Sequence, residues 1–376
     1  MKDAPAKSVF LLETVFPDYR MELFRRLKEL WGARLTLACG DVSFAPTMRT
    51  ASDAEAVRVR VTNRFWLGRQ LVWQSGVARL GADADLVIAE FNLRAPSTLW
   101  LLWHRHRRGK PTVFWGHAEG SRTISQPLRR WMLRHAAGFI AYMPAEKRRL
   151  QTDFPNLPVW IAPNAMMWAR DCYFLPRDPV EVCDVIYVGR LVAAKKVGHL
   201  LQGFVAAAQA NLVPQRSRLI FIGDGPERNA LQQEANAAGM ANRVVFAGHV
   251  SDISKLREWY STAVVAVSPG YVGLSATQAF SFGVPMLVAN GERHSPEIEL
   301  CRQGENAVFF RTDVPSSLAE ELGNVMHARA AWIQRREVIS AAIRTNYSFD
   351  RMTDTFTEVI AAFGGLESPP TIHEHP

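Results

Sequence analysis

Short apolar runs alternate with amphipathic stretches from one end of the chain to the other. In the first half Val9–Leu12, Leu35–Ala38, Leu86–Ala89, Thr112–Trp115 and Gly138–Ala141 read as strands. Met21–Trp31, Leu71–Leu80, Thr98–Arg107 and Leu128–Arg134 have helical spacing. The second half repeats the pattern. Val185–Val188, Arg218–Ile222, Val244–Phe246, Val264–Val267 and Met286–Ala289 read as strands, and Val197–Ala208, Glu227–Ala238, Ile253–Tyr260 and Leu274–Phe282 as helices. Such alternation predicts an α/β fold with parallel sheets. The 376 residues suit two domains. We expect an N-terminal Rossmann-like domain over 1–165, a linker over 166–182 and a C-terminal Rossmann-like domain over 183–345. A helix over Phe349–Phe363 should cross back to the first domain, within a terminal segment 346–376. Proline and weak periodicity mark the linker. Two open sheets of similar size predict a ligand cleft between them.

Composition narrows the choice of partner. A net charge of +8 suits an anionic one, but no nucleic-acid motif accompanies it, so nucleic acid is not expected. Cys39, Cys172, Cys183 and Cys301 are scattered, without a CxxC pair, which points to a reducing cytosol rather than to a metal or disulfide framework. No apolar run approaches the roughly 20 residues of a membrane span.

The candidate chemistry lies at strand ends in the second half. A strand ends at Gly189, followed by Arg190 and then by Lys195 and Lys196 at a helix start. A bidentate fork and mobile ammonium groups suit a diphosphate. Gly223-Asp224-Gly225-Pro226 forms a second strand-end turn, in which Asp224 could also serve as a helix cap. A dinucleotide fingerprint would need glycine at Arg228, so a nicotinamide enzyme loses its main support. A third strand ends at Gly248, where His249 and Val250 could border a nucleobase. Finally, Gly270 and the turn Gly273-Leu274-Ser275 lead from a buried run into a helix carrying Gln278. The open N–H groups of that turn are a seat for an anion.

In this order the elements resemble the retaining glycosyltransferases of family four, which have the GT-B fold. The matching segments are Gly189-Arg190-Leu191 with Lys195, Gly223 to Pro226, Phe246 to Val250, Gln278 to Pro285, and Pro296-Glu-Ile-Glu299 with Gly304 and Asn306. Phe16 to Phe24, Trp115-Gly-His-Ala118 and Ala162-Pro-Asn164 resemble N-terminal loops of members that build bacterial capsule or exopolysaccharide.

The resemblance implies a metal-independent hexosyltransferase with two Rossmann-like domains facing across a cleft. It implies a nucleotide-diphosphate sugar as donor substrate, no cofactor, and a glycan or lipid-linked acceptor. Arg190 and Lys195 would neutralise the leaving diphosphate, and His117 would lie near the transferred sugar. Asp83-Ala-Asp85 reads as a turn cluster, not a metal site. Gly270 and Gln278 stand where the family has two glutamates. Gln278 can still accept a ribose hydroxyl through its amide oxygen, and Gly270 would open room for another sugar or leave backbone to bind it. Glu292, His294 or Glu297 could replace the lost acid. Loss of both acids also admits a non-catalytic nucleotide-sugar-binding partner protein. Arginines beside tryptophans in Thr98–Arg108 and Leu128–His135 fit either contact with anionic membrane or apolar faces packed on the sheet with arginines in water. The expected location is the cytoplasm, with the inner face of the plasma membrane for membrane contact.

Overall fold

The computed structural model describes residues 7–45, 48–118 and 125–364. The chain forms two compact units, residues 1–164 with 349–376 and residues 165–348. The segment expected as a linker, 166–182, thus belongs to the second unit.

Unit 1 holds β1 (Val9–Leu12), β2 (Leu35–Cys39), β3 (Arg58–Arg60), β4 (Thr62–Trp66), β5 (Leu71–Ser75), β6 (Leu86–Glu90), β7 (Thr112–Trp115), β8 (Gly138–Ala141) and β9 (Val159–Ile161). Seven strands form a sheet in the order β3-β2-β1-β6-β7-β8-β9, parallel at every pairing, while β4 and β5 make an antiparallel hairpin. Its helices are α1 (Met21–Trp31), α2 (Val77–Gly81), α3 (Pro96–His106), α4 (Gln126–His135) and α5 (Pro144–Asp153), together with the terminal helix Phe349–Gly364. The terminal helix packs on α1, β6 and β9. Thr355 fixes it by donating to the carbonyl of Ile161 at 2.8 Å.

The helix expected over Leu71–Leu80 is therefore wrong in its first half. Leu67 and Arg69 take left-handed φ of 50° and 67° around Gly68, which turns the chain sharply enough to pair 71–75 with 62–66.

Unit 2 has β10 (Asp184–Val188), β11 (Leu219–Ile222), β12 (Val244–Gly248), β13 (Ala263–Ser268), β14 (Met286–Asn290) and β15 (Ala307–Arg311). They form one parallel sheet in the order β12-β11-β10-β13-β14-β15. Around it lie α6 (Val197–Gln209), α7 (Arg228–Ala237), α8 (Ile253–Thr262), α9 (Ser275–Ser281), α10 (Pro315–His327), α11 (Arg329–Gln334) and α12 (Arg336–Asn346). Central strands such as Val185 to Tyr187 and Leu219 to Ile222 are buried along their length, as a sheet covered on both faces requires.

In both units the strand order reverses beside the first strand, between β1 and β6 and between β10 and β13. Open α/β sheets bind ligands at the carboxyl ends of the strands at that reversal.

Of the arginines of Thr98–Arg108, Arg107 and Arg108 are exposed, whereas Arg105 of α3 does not face water. It is fully buried. Its guanidinium donates to the carbonyls of Gly81 (2.8 Å), Ala84 (2.7 Å) and Pro111 (2.7 Å) and to the Thr112 hydroxyl (3.1 Å). It thereby satisfies carbonyls left open beyond the end of α2. Arg105→Met keeps the stem but strands those acceptors. With each unpaired buried group costing about 1–3 kcal/mol, urea unfolding should show a loss of at least about 3 kcal/mol.

Candidate functional site

Beside the reversal in unit 2 the ends of β10, β11 and β12 touch backbone to backbone. Gly189 N–H donates to Ile222 (2.9 Å), Leu191 N–H to Asp224 (2.9 Å) and Gly223 N–H to Gly248 (2.7 Å), each at the carbonyl. A Cβ on Gly223 would lie 1.9 Å from the Gly189 carbonyl oxygen, and one on Gly225 2.2 Å from that of Leu191. Backbone at such closeness cannot yield to a methyl. The glycines are there so that the turns can meet.

The same reasoning settles Gly270. A Cβ there would meet the Ala194 carbonyl oxygen at 2.9 Å and Lys195 Cα at 3.1 Å. No room is opened for another sugar, because the 194–195 backbone fills the space.

The charged groups separate into those held by the protein and those left open. Arg190 is exposed, and among the described residues no carboxylate pairs with it. Its carbonyl is fixed by the Tyr187 hydroxyl at 2.9 Å. Lys195 donates to the Tyr271 carbonyl at 2.9 Å, and its ammonium lies 3.3 Å from the Tyr271 ring centroid. Burial, helped by the nearby Arg190 charge, pulls its pKa down to about 8.

Lys196 differs from its neighbour. It bonds Glu292 at 2.6 Å and Asp313 at 2.7 Å, and those bonds raise its pKa. Its charge is already matched within the protein, whereas among the described residues Lys195 has no carboxylate partner. Glu292, also bonded by Thr312, is held below its usual range against the opposing effect of burial, and so is no free substitute for a lost acid.

The turn Gly273-Leu274-Ser275 runs into α9, whose first residue is Ser275, and among the described residues none of its three N–H groups has an acceptor. It is braced from behind. His294 Nδ1 accepts from the Val272 N–H at 3.0 Å, and the Ser295 N–H donates to the Val272 carbonyl at 3.0 Å. Burial lowers the His294 pKa and keeps that nitrogen a good acceptor. Glu297 is buried in the short turn Pro296–Leu300.

Gln278, expected to meet a ribose, is buried, and its amide oxygen accepts from the Tyr260 hydroxyl at 3.3 Å. Asp224 does not cap α7, which starts at Arg228. It accepts from the Gly225 N–H at 2.8 Å and pairs with Arg228 at 3.5 Å. His249 is exposed and Val250 half-buried just after β12, next to the Gly223 turn.

Unit 1 has a cavity of about 510 Å³ at its own reversal, and His117 lines it. The His117 ring lies 4.5 Å from that of Tyr142. Glu13, Arg20 and Glu90 also line this cavity and escaped the reading of the sequence. Arg20 bonds Tyr142 (2.6 Å) and Glu13 (3.4 Å), while Glu90 accepts from the Thr14 N–H (2.9 Å). Burial pushes the Glu13 pKa up to about 8, Arg20 pulling against it and Glu90 with it. Arg20 lies in the Phe16–Phe24 segment, the one available signal. Asp83 and Asp85 bond Arg108 and Ser8, and among the described residues no cluster of three His, Cys, Asp or Glu could hold a metal.

Comparison with known structures places the whole chain in the GT-B fold. HepE of Anabaena, crystallised with UDP, matches over 95% of this chain and 100% of its own, at 16% identity and a TM-score of 0.68. A glycosyltransferase of Rickettsia africae ESF-5 matches over 95% and 98%, at 13% identity and 0.67. Residues 183–328, all in unit 2, match the family Glycosyl transferases group 1. An uncharacterized glycosyltransferase of Methanocaldococcus jannaschii is 25% identical over 214 residues, 54% of this chain. The match spans about half, 52%, of that relative's own length.

The geometry ranks the glycines. Gly223→Ala should cost at least about 3 kcal/mol in chemical unfolding and Gly270→Ala about 1–2. Gly273→Ala, whose nearest neighbour would be Ser295 Oγ at 3.7 Å, should stay within about 0.5 kcal/mol of wild type.

Proposed function

We propose that the protein is a glycosyltransferase that moves a hexose from a nucleotide-diphosphate sugar to a glycan or lipid-linked acceptor, with retention, in cell-surface polysaccharide synthesis. One observation carries the reading. An arginine without a carboxylate partner, a part-buried lysine and three open N–H groups border the reversal of the unit 2 sheet.

Arg190 and Lys195 meet the diphosphate and stabilise its growing charge as the bond to the sugar breaks. The N–H groups of Gly273 to Ser275 hold its oxygens. The acceptor hydroxyl attacks from the face the diphosphate leaves and gives its proton to a leaving phosphate oxygen. Neither a metal nor a cofactor is needed in this scheme. His117 and the unit 1 cavity serve the acceptor. The fit of HepE and its bound UDP supports UDP as the first nucleotide to try.

Gly270 and Gln278 favour one second reading, a protein that binds the nucleotide sugar without turning it over. Sugar transfer or donor hydrolysis by the pure protein excludes that reading, and binding without turnover supports it.

Arg190→Ala should leave melting unchanged and lower turnover of UDP-glucose at least about a hundredfold. Unchanged turnover would sink the assignment. Because Lys195 must be charged to bind, UDP affinity should be level below pH 8 and fall above it. Apo stability should run the other way. The folded lysine gives up its proton before the unfolded one does, so its contribution rises between pH 8 and 10.5. Calorimetry across pH 6–10 and melting curves check the two signs.

Membrane contact belongs to unit 1. That unit has 26 Lys and Arg against 19 Asp and Glu, a net of +7, where unit 2 has 18 against 17. Arg129, Arg130 and Arg134 of α4 and Lys147, Arg148 and Arg149 of α5 contribute six of those charges. Among the described residues no helix is long and apolar enough to cross a membrane; the contact we propose is peripheral, at the cytoplasmic face. Vesicles containing phosphatidylglycerol should sediment the protein at low salt and release it at high salt. Neutral phosphatidylcholine vesicles should not sediment it.

A further inference from the structure

Lys196 occupies a backbone conformation that lysine avoids. Its φ of 52° and ψ of 36° are left-handed, and it caps the start of α6. Asp313, one of its two partners, is also left-handed, with φ of 58°. Two non-glycine residues in such conformations persist only where the surroundings hold them. Here they hold each other. The Lys196 ammonium joins Asp313 at 2.7 Å, Glu292 at 2.6 Å and the Thr312 hydroxyl at 3.3 Å. Glu292 follows β14, and Thr312 and Asp313 follow β15, whereas Lys196 follows β10.

Strand order gives this bond its meaning. β13 lies between β10 and β14, so Lys196 reaches past the turn that follows β13. That turn contains Gly270 and Tyr271. The backbone of Ala194 and Lys195 presses on Gly270 closely enough to exclude a methyl, and Lys195 rests on the Tyr271 carbonyl and ring.

We propose that Lys196 is a positioning residue. Its bonds to Glu292 and Asp313 draw the 193–196 turn across the Gly270 turn and seat Lys195 where the diphosphate binds. The proposal rests on the donor reading of unit 2 and deepens it. A basic pair that looks like two phosphate ligands is one ligand and one strap. Gly270 is the matching surface, since any side chain there would hold the turn off. His199, 3.2 Å from Asp313, lies at the outer end of the strap.

A double-mutant cycle separates strap from ligand. Lys196→Gly removes the ammonium and suits the left-handed backbone. Glu292→Gln removes one partner's charge while Lys196 stays. UDP affinity is read by calorimetry, and uridine binding, which does not use the diphosphate seat, by saturation-transfer NMR.

Each single variant should weaken UDP about tenfold. Uridine binding should be unchanged, and the double variant no weaker than Lys196→Gly alone. Lys196→Arg, which can keep both carboxylates, should restore most of the affinity. A Glu292→Gln protein that binds UDP as well as or better than wild type, beside a weakened Lys196→Gly, would make Lys196 a phosphate ligand and overturn the proposal. Parallel loss of uridine and UDP would overturn it too, as a general loss of fold. Wild type that ignores UDP altogether defeats the donor reading itself, and that control is read before the cycle.

Discussion

The unit 2 site depends on backbone meeting backbone without an intervening atom. The turn after β10 is fixed on one side by the Gly223 turn, where a Cβ would lie 1.9 Å from a carbonyl oxygen. On the other side it is fixed by Gly270, where one would lie 2.9 Å from another. Between these stops, Gly189 to Lys195 has one course. Arg190 then stands open at the strand end, and Lys195 lies on Tyr271 with its proton loosened by burial. A site assembled from flexible side chains would need ordering when the ligand arrives. This one is ordered by steric exclusion beforehand, which lowers the entropic cost of binding.

The same constraint explains why Gly270 stands where the family that the sequence resembles has a glutamate. A glutamate there would collide with the turn that carries Lys195. In this chain an acid at position 270 and the close seat of Lys195 exclude each other. The neutral Gln278 is buried and accepts from the Tyr260 hydroxyl. Among the described residues Arg190 has no carboxylate partner, in contrast to Lys196, which two carboxylates neutralise.

Most of the sheet was legible in the sequence because central strands of parallel sheets are continuous apolar runs. β1, β7 and β8 match their expected bounds, and β10 to β14 differ by a residue or two at an end. The hairpin β4–β5 was not legible. Leu71-Val-Trp-Gln-Ser fits a helix as well as a strand, and left-handed φ at Leu67 and Arg69 is not a property their types announce. In the site, glycines and basic residues were visible because they stand in short local runs at strand ends. The ion pairs of Lys196 were not legible, because its partners, Glu292 and Asp313, are 96 and 117 residues away. The Glu13, Arg20 and Tyr142 network escaped for the same reason, since Arg20 and Tyr142 are 122 residues apart.

The central claim is that the turn from Gly189 to Lys195 and the N–H groups of Gly273 to Ser275 grip a nucleoside diphosphate. A crystal structure of the protein grown with UDP tests it most directly. The account predicts the diphosphate within hydrogen-bond distance of Arg190, Lys195 and those N–H groups, with Lys196 still on Glu292 and Asp313. A diphosphate held elsewhere, or held by a Lys196 that has left its carboxylates, would contradict it.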